Sequence, residues 1–130
     1  MPTNAESLAL QTYISEVIIA TRDGKINWKA VNPTTFVWET GLPQSARIIL
    51  QRVERFVTYP LPRIGTAPQQ MGQKKELVHI FQAFDLKSSV LTLDSSVETQ
   101  FNDLLSALFD LVQTRLSEKT LDFLKSTLPK

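Results

Sequence analysis

Few side chains in this sequence could do chemistry. It contains no cysteine and one histidine, His79. An imidazole can act as a general base or a metal ligand. A base needs a positioned acid or nucleophile beside it, and a metal needs two or three further ligands. Asp85 shares the strand face of His79, but six residues of extended chain separate the two by about 20 Å. His79 also lies within an apolar run, Leu77 to Leu86, which suits a partly buried structural histidine better than a reactive one. Of the carboxylates, Asp94, Glu98, Asp103 and Asp110 are spread along the last strand and the helix after it. Glycosidase-type chemistry needs two facing carboxyl groups at short range. Asp103 and Asp110 share a helix face but stand two turns apart, about 10 Å, as charges on a solvated helix surface do. Gly24, Gly41, Gly65 and Gly72 occur singly, so no glycine-rich phosphate cradle is present. No serine has a nucleophile-elbow context, and no segment has the spacing of a magnesium or calcium loop. The sequence therefore assigns no catalytic, cofactor-binding or metal-ligating residue, implies no cofactor, and reads as non-enzymatic.

The arginines carry more information. Between Arg47 and Glu76 there are six basic residues against two acids, a local excess of +4, whereas Asp94 to Lys130 carries six acids and four bases. Arg47, Arg52 and Arg55 are candidates for anion binding, because a planar guanidinium matches phosphate bidentately. Phe56 and Tyr59 are close enough in sequence to stack a base. The plainer role for such charges is to keep a sheet edge from pairing with other chains. The formal net charge of +1 supplies no global field toward nucleic acid or an anionic membrane.

These residues must be positioned by alternating and helical segments. Leu10, Tyr13, Ile14, Val17 and Ile18 recur at helical spacing, predicting a helix from about Asn4 to Thr21, capped by Asn4 or Ser7 and stopped by Asp23-Gly24. Short alternating runs around Trp28 and around Phe36 and Trp38 flank the turn Asn32-Pro33-Thr34 and predict a hairpin with paired aromatics. Gly41-Leu42-Pro43 breaks the chain. Arg47 to Val57 reads as a longer strand, with Ile48-Ile49-Leu50 implying either two covered faces or a bulge. Tyr59 to Lys75, rich in proline and glycine, reads as a long mobile loop. Leu77–Leu86 and Val90–Asp94 follow as strands joined near Lys87-Ser88-Ser89. The first is apolar on both faces, so something should cover its second face. Ser95 to Glu98 has capping-box form. After it comes a broad apolar stripe through Phe101, Leu104, Leu105, Leu108, Leu111 and Val112, then a shorter helix restarting at Ser117.

The expected architecture is one α+β domain over residues 1–130. It has an N-terminal helix, an antiparallel meander of four to five strands, and a long C-terminal helix plus a short one packed on the sheet. Residues 130 long and 42% hydrophobic suffice for a core without disulfides. No secretory signal and no apolar window of membrane-spanning length is present, so the chain reads as soluble and cytoplasmic. The surplus apolar surface points to a protein partner, including a second copy in a homodimer. The contact residues expected are Tyr59, Leu61, Arg63 and Ile64 in the loop, with Phe109 and Leu116 on the C-terminal helix. Capture of a nucleotide or nucleic acid by the basic segment is the alternative.

The opening helix, followed by Thr21-Arg22-Asp23-Gly24-Lys25-Ile26-Asn27-Trp28, Val31 and Thr34-Thr35-Phe36, resembles the head of small, mostly uncharacterised bacterial and mobile-element proteins. The resemblance covers the first third of the chain. It implies a bacterial or phage setting, in regulation or conflict, and transfers no site residue.

Overall fold

The computed structural model describes residues 4–41, 45–86 and 88–129. The Asn4 side chain, Leu42-Pro43 and Lys87, invoked above for a cap, a break and a turn, lie outside the described residues. Helix α1 spans Asn4–Arg22 and buries Ile14 and Val17. It ends as the sequence predicts. Gly24 takes φ +75°, Gly24 N–H donates to the Thr21 carbonyl at 3.1 Å and Lys25 N–H to the Ala20 carbonyl at 2.9 Å. This is the paired C-terminal closure that glycine permits because it lacks Cβ. The buried Trp28 indole then donates to the buried Thr21 hydroxyl at 3.0 Å, tying the helix end to the sheet.

The sheet has five strands in sequential antiparallel order: β1 Lys29–Asn32, β2 Thr35–Thr40, β3 Ala46–Pro60, β4 Met71–Phe84 and β5 Ser89–Asp94. Register places Phe36, Leu50, Phe81 and Leu93 in one cross-strand row, and Trp38, Ile48, Ala83 and Leu91 in the next. Both rows face the helices and form the core with Phe101, Leu105, Leu108, Phe109 and Val112. The expected aromatic pairing is present, with Trp28 and Trp38 rings 5.8 Å apart. Helix α2, Asn102–Ser126, follows a 3₁₀ turn at Thr99–Phe101. The two helices run in the same direction: Gln100 reaches Ser7 near one end, and Arg115 lies beside Gly24 at the other.

Four expectations need correction. First, no second helix restarts at Ser117. Helix α2 is continuous through Ser126, because no glycine or proline interrupts it and an exposed serine costs a helix little. Second, Tyr59 to Lys75 is not one loop. Strand β3 runs to Pro60 and β4 begins at Met71. The polar residues that suggested a loop belong to a ribbon wet on both faces. Third, Ile48-Ile49-Leu50 contains no bulge, since β3 pairs in unbroken register with both neighbours. Ile49 simply points to the outer face, where it is half-buried beside Val37 and Ile80. Fourth, Ser95 does not cap α2. Its hydroxyl accepts from His79 N–H at 2.9 Å, and the reciprocal turn forms one residue earlier. There Asp94 Oδ1 accepts from Ser96 N–H at 2.9 Å, and Glu98 Oε2 accepts from Asp94 N–H at 3.4 Å.

Candidate interaction site

β2 pairs with β3 only as far as Gln51, and β5 pairs with β4 only from Ile80 onward. Beyond those points β3 and β4 have only each other, from Val53↔Val78 to Pro60↔Met71. Eight residues per strand make a two-stranded arm of about 26 Å. A free hairpin of that kind is marginal in water, so this arm needs supports at its root and its tip.

The root is a polar layer at the edge of the apolar core. Arg52 and His79 are cross-strand partners on the helix-facing side. Arg52 Nε donates to His79 Nε2 at 2.8 Å, and its Nη2 donates to Asp110 Oδ1 of α2 at 2.7 Å. The guanidinium stacks 4.1 Å from the centroid of the Phe109 ring, a contact of about 0.5–2 kcal/mol. His79 is 3% exposed. Because Nε2 accepts the Arg52 proton, the neutral ring carries its own proton on Nδ1, which has no partner among the described residues. Burial lowers the His79 pKa first, the Arg52 charge lowers it further, and Asp110 opposes both. The imidazole is thus held neutral as an acceptor that positions the arginine.

The tip is closed by its own hydrogen bonds. Leu61 N–H donates to the Gln70 carbonyl and Ala67 N–H to the Ile64 carbonyl, with Gly65 between them at φ +58°. The Gln69 amide donates to the Leu61 carbonyl at 2.7 Å, and the Arg63 guanidinium to the Ala67 carbonyl. Tyr59 lies across from Gly72, and a Cβ there would come within 2.6 Å of the phenol ring. Glycine at that position lets the aromatic lie flat over the neighbouring strand.

Between root and tip the arm carries exposed apolar side chains among charged and polar ones. Phe56, Met71 and Leu77 lie on the helix-facing side, and all are exposed, Phe56 by 68%. Ile64 at the tip is 83% exposed. Cations border the aromatics: Lys74 Nζ sits 5.8 Å from the Tyr59 ring and Lys75 Nζ 5.7 Å from the Phe56 ring.

A second apolar surface lies where α2 passes the sheet edge. A groove of about 440 Å³ is lined by Ala30, Pro33, Leu116, Leu121 and Leu124 among others. From Ser117 to Pro129 every described side chain is exposed.

Of the residues expected at partner contacts, Tyr59, Leu61, Arg63 and Ile64 come together at the arm's end, and Leu116 lines the groove. Phe109 is a correction. It is 1% exposed, packed 4.8 Å from the Phe36 ring and beneath Arg52, and belongs to the core. The three arginines expected to bind anions do not share a surface. Arg47 pairs with Glu39 at 3.0 Å and Arg55 with Asp94 at 2.8 Å on the outer face, while Arg52 is committed to His79 and Asp110 on the other. Burial pushes the Asp94 carboxyl up, but hydrogen bonds from Ser96 and Arg55 outweigh it and hold the group below its ordinary value. Phe56, Met71 and Leu77 were missed as a set. Only β3–β4 register puts Phe56 on their side, although Met71 and Leu77 share strand parity. No group of three or more potential metal ligands occurs among the described residues, and no described helix is long and apolar enough to cross a membrane. No family model, curated protein or solved structure matches this chain.

Proposed function

We propose that this chain is a non-enzymatic interaction protein that presents the β3–β4 arm to a protein partner and associates with itself through apolar surface. One observation carries the reading: the arm is braced at root and tip, yet its middle leaves Phe56, Met71 and Leu77 in water. Aromatic and methionine side chains are enriched in protein-binding surfaces. The commitment of His79 to Arg52 supports a structural role for the one imidazole. The reading includes a cytoplasmic setting, consistent with a cysteine-free chain, and a regulatory role of the kind implied by the resemblance of its head to bacterial and mobile-element proteins.

A photo-crosslinking residue at Ile64 tests the arm in cells. Discrete adducts from that position, lost on Phe56→Ser with Met71→Ser and absent from a crosslinker at Glu16, support the reading. Equal labelling from all positions overturns it.

The alternative, nucleotide or nucleic-acid capture, draws on Lys74 over Tyr59 and Lys75 over Phe56, where a base could stack beside a cation. It requires binding that weakens steeply with salt. Oligonucleotides that give no thermal shift at low ionic strength remove it.

A further inference from the structure

We propose that the last three turns of α2 pair antiparallel with the same turns of a second copy, forming a two-fold symmetric dimer. This rests on the self-association in the reading above and names its surface. Leu121 and Leu124 stand three residues apart on α2 and Leu128 follows four residues on, two beyond the helix end, at the spacing of a coiled-coil seam, and each is more than half exposed. The segment from Ser117 to Leu128 leaves its own fold without burying one side chain, yet it stays helical through Ser126. About three turns of free helix are marginal in water, so a partner along this seam would supply stability that the single chain does not.

Charge decides between occupants. Glu118 and Lys125 flank the same side of the leucine seam, seven residues apart. In an antiparallel pairing that sets Leu121 against Leu124 of the other copy, Glu118 of each helix meets Lys125 of its mate, and the two-fold axis makes the contact twice. In-register parallel pairing would instead set Glu118 beside Gln113 and Lys125 beside Thr120 of the other copy, where neither charge has an opposite partner. Both groups are available for this. Glu118 holds only a long surface contact with Arg115 at 3.6 Å, and Lys125 makes no ion pair among the described residues. The groove beside Ala30 and Pro33 already contains Leu121 and Leu124 in its lining, so the second helix lies along its mouth and lengthens the contact beyond the seam. The interface is isologous and closed, which limits assembly to two copies.

The test is sedimentation equilibrium on the full chain, with circular dichroism to confirm that each variant is folded. The wild type dimerises, and Leu121→Glu with Leu124→Glu gives a folded monomer. Glu118→Lys and Lys125→Glu each weaken the dimer about tenfold, because two attractive contacts become repulsive. Mixing these two single variants restores wild-type affinity as a heterodimer, since each new charge then faces its opposite. The double variant restores the homodimer for the same reason. A wild-type dimer indifferent to all these changes overturns the helix pairing and places self-association elsewhere. A wild type that stays monomeric at every concentration overturns self-association itself and leaves the arm to be judged by its crosslinks.

Discussion

Strands β3 and β4 live in two environments along one continuous ladder. At one end Leu50 and Phe81 are fully buried beneath α1 and α2. A few residues along, Phe56 and Leu77 occupy the same helix-facing side and stand in water. Nothing in the backbone changes between them, and the register continues without a shift. The difference is whether a helix lies overhead. Arg52 and His79 sit at the boundary, with Asp110 of α2 closing the layer. The lesson is that a strand's pairing and its burial are separate properties. Hydrogen bonds and register extend the ribbon, while the hydrophobic contribution to stability is confined to the covered part.

That division is open to direct perturbation. The largest effect is expected inside the covered end. Phe109→Ala removes the ring between Phe36 and Arg52 and should destabilise the fold by about 3–5 kcal/mol, read by chemical denaturation. A loss no larger than that of a surface variant would show that α2 does not hold this end. At the boundary, Arg52→Met keeps apolar packing on Phe109 but leaves His79 Nε2 without a donor, an expected loss of about 1–3 kcal/mol. Asp110→Asn, on the exposed side of the same layer, should cost under about 1 kcal/mol. Equal losses from the two would mean that the ion pair, and not the buried bond to His79, secures the root.

His79 adds a pH dependence with a defined sign. Its folded pKa lies below the ordinary value of about 6.5, so the unfolded chain binds the proton more readily. Stability from this group is complete above that ordinary value and declines as pH falls from it through the folded pKa. His79→Gln, whose amide oxygen can still accept from Arg52, should flatten that part of the profile in thermal denaturation. An unchanged slope would assign the dependence to another group. The smallest effect belongs to the arm: Phe56→Ser should alter stability by about 0.5 kcal/mol or less, while weakening the Ile64 crosslinks. A large loss of stability from this change would mean that the arm is covered and part of the core.

Much of the fold was legible because local chemistry and burial agree where the helices cover the sheet. The end of α1 at Gly24, the hairpin around Asn32 and the stripe from Phe101 to Val112 all follow from periodicity and turn residues. The same rules failed in the arm. Residues 71–77 alternate polar and apolar on neither face cleanly, since both faces meet water, and so their strand character was hidden. Phe109 looked like surplus surface on a helical wheel. It is core because Phe36 and the Arg52–His79 layer of the sheet pack against it, which no wheel displays. The expected anion site dissolved for a related reason: carboxylates from β2, α2 and the end of β5, distant in sequence, claim each arginine.

The amino-acid sequence by itself determined the α+β class, the order of helix, antiparallel strands and long helix, the closure of α1 at Gly24, the turn at Asn32 and the absence of any thiol chemistry, because each rests on neighbours within a few residues. Tertiary structure alone decided which apolar side chains are hidden and which are offered. Burial depends on what another part of the chain places above a residue, and two stretches of the same ladder can be assigned opposite fates by where the helices lie.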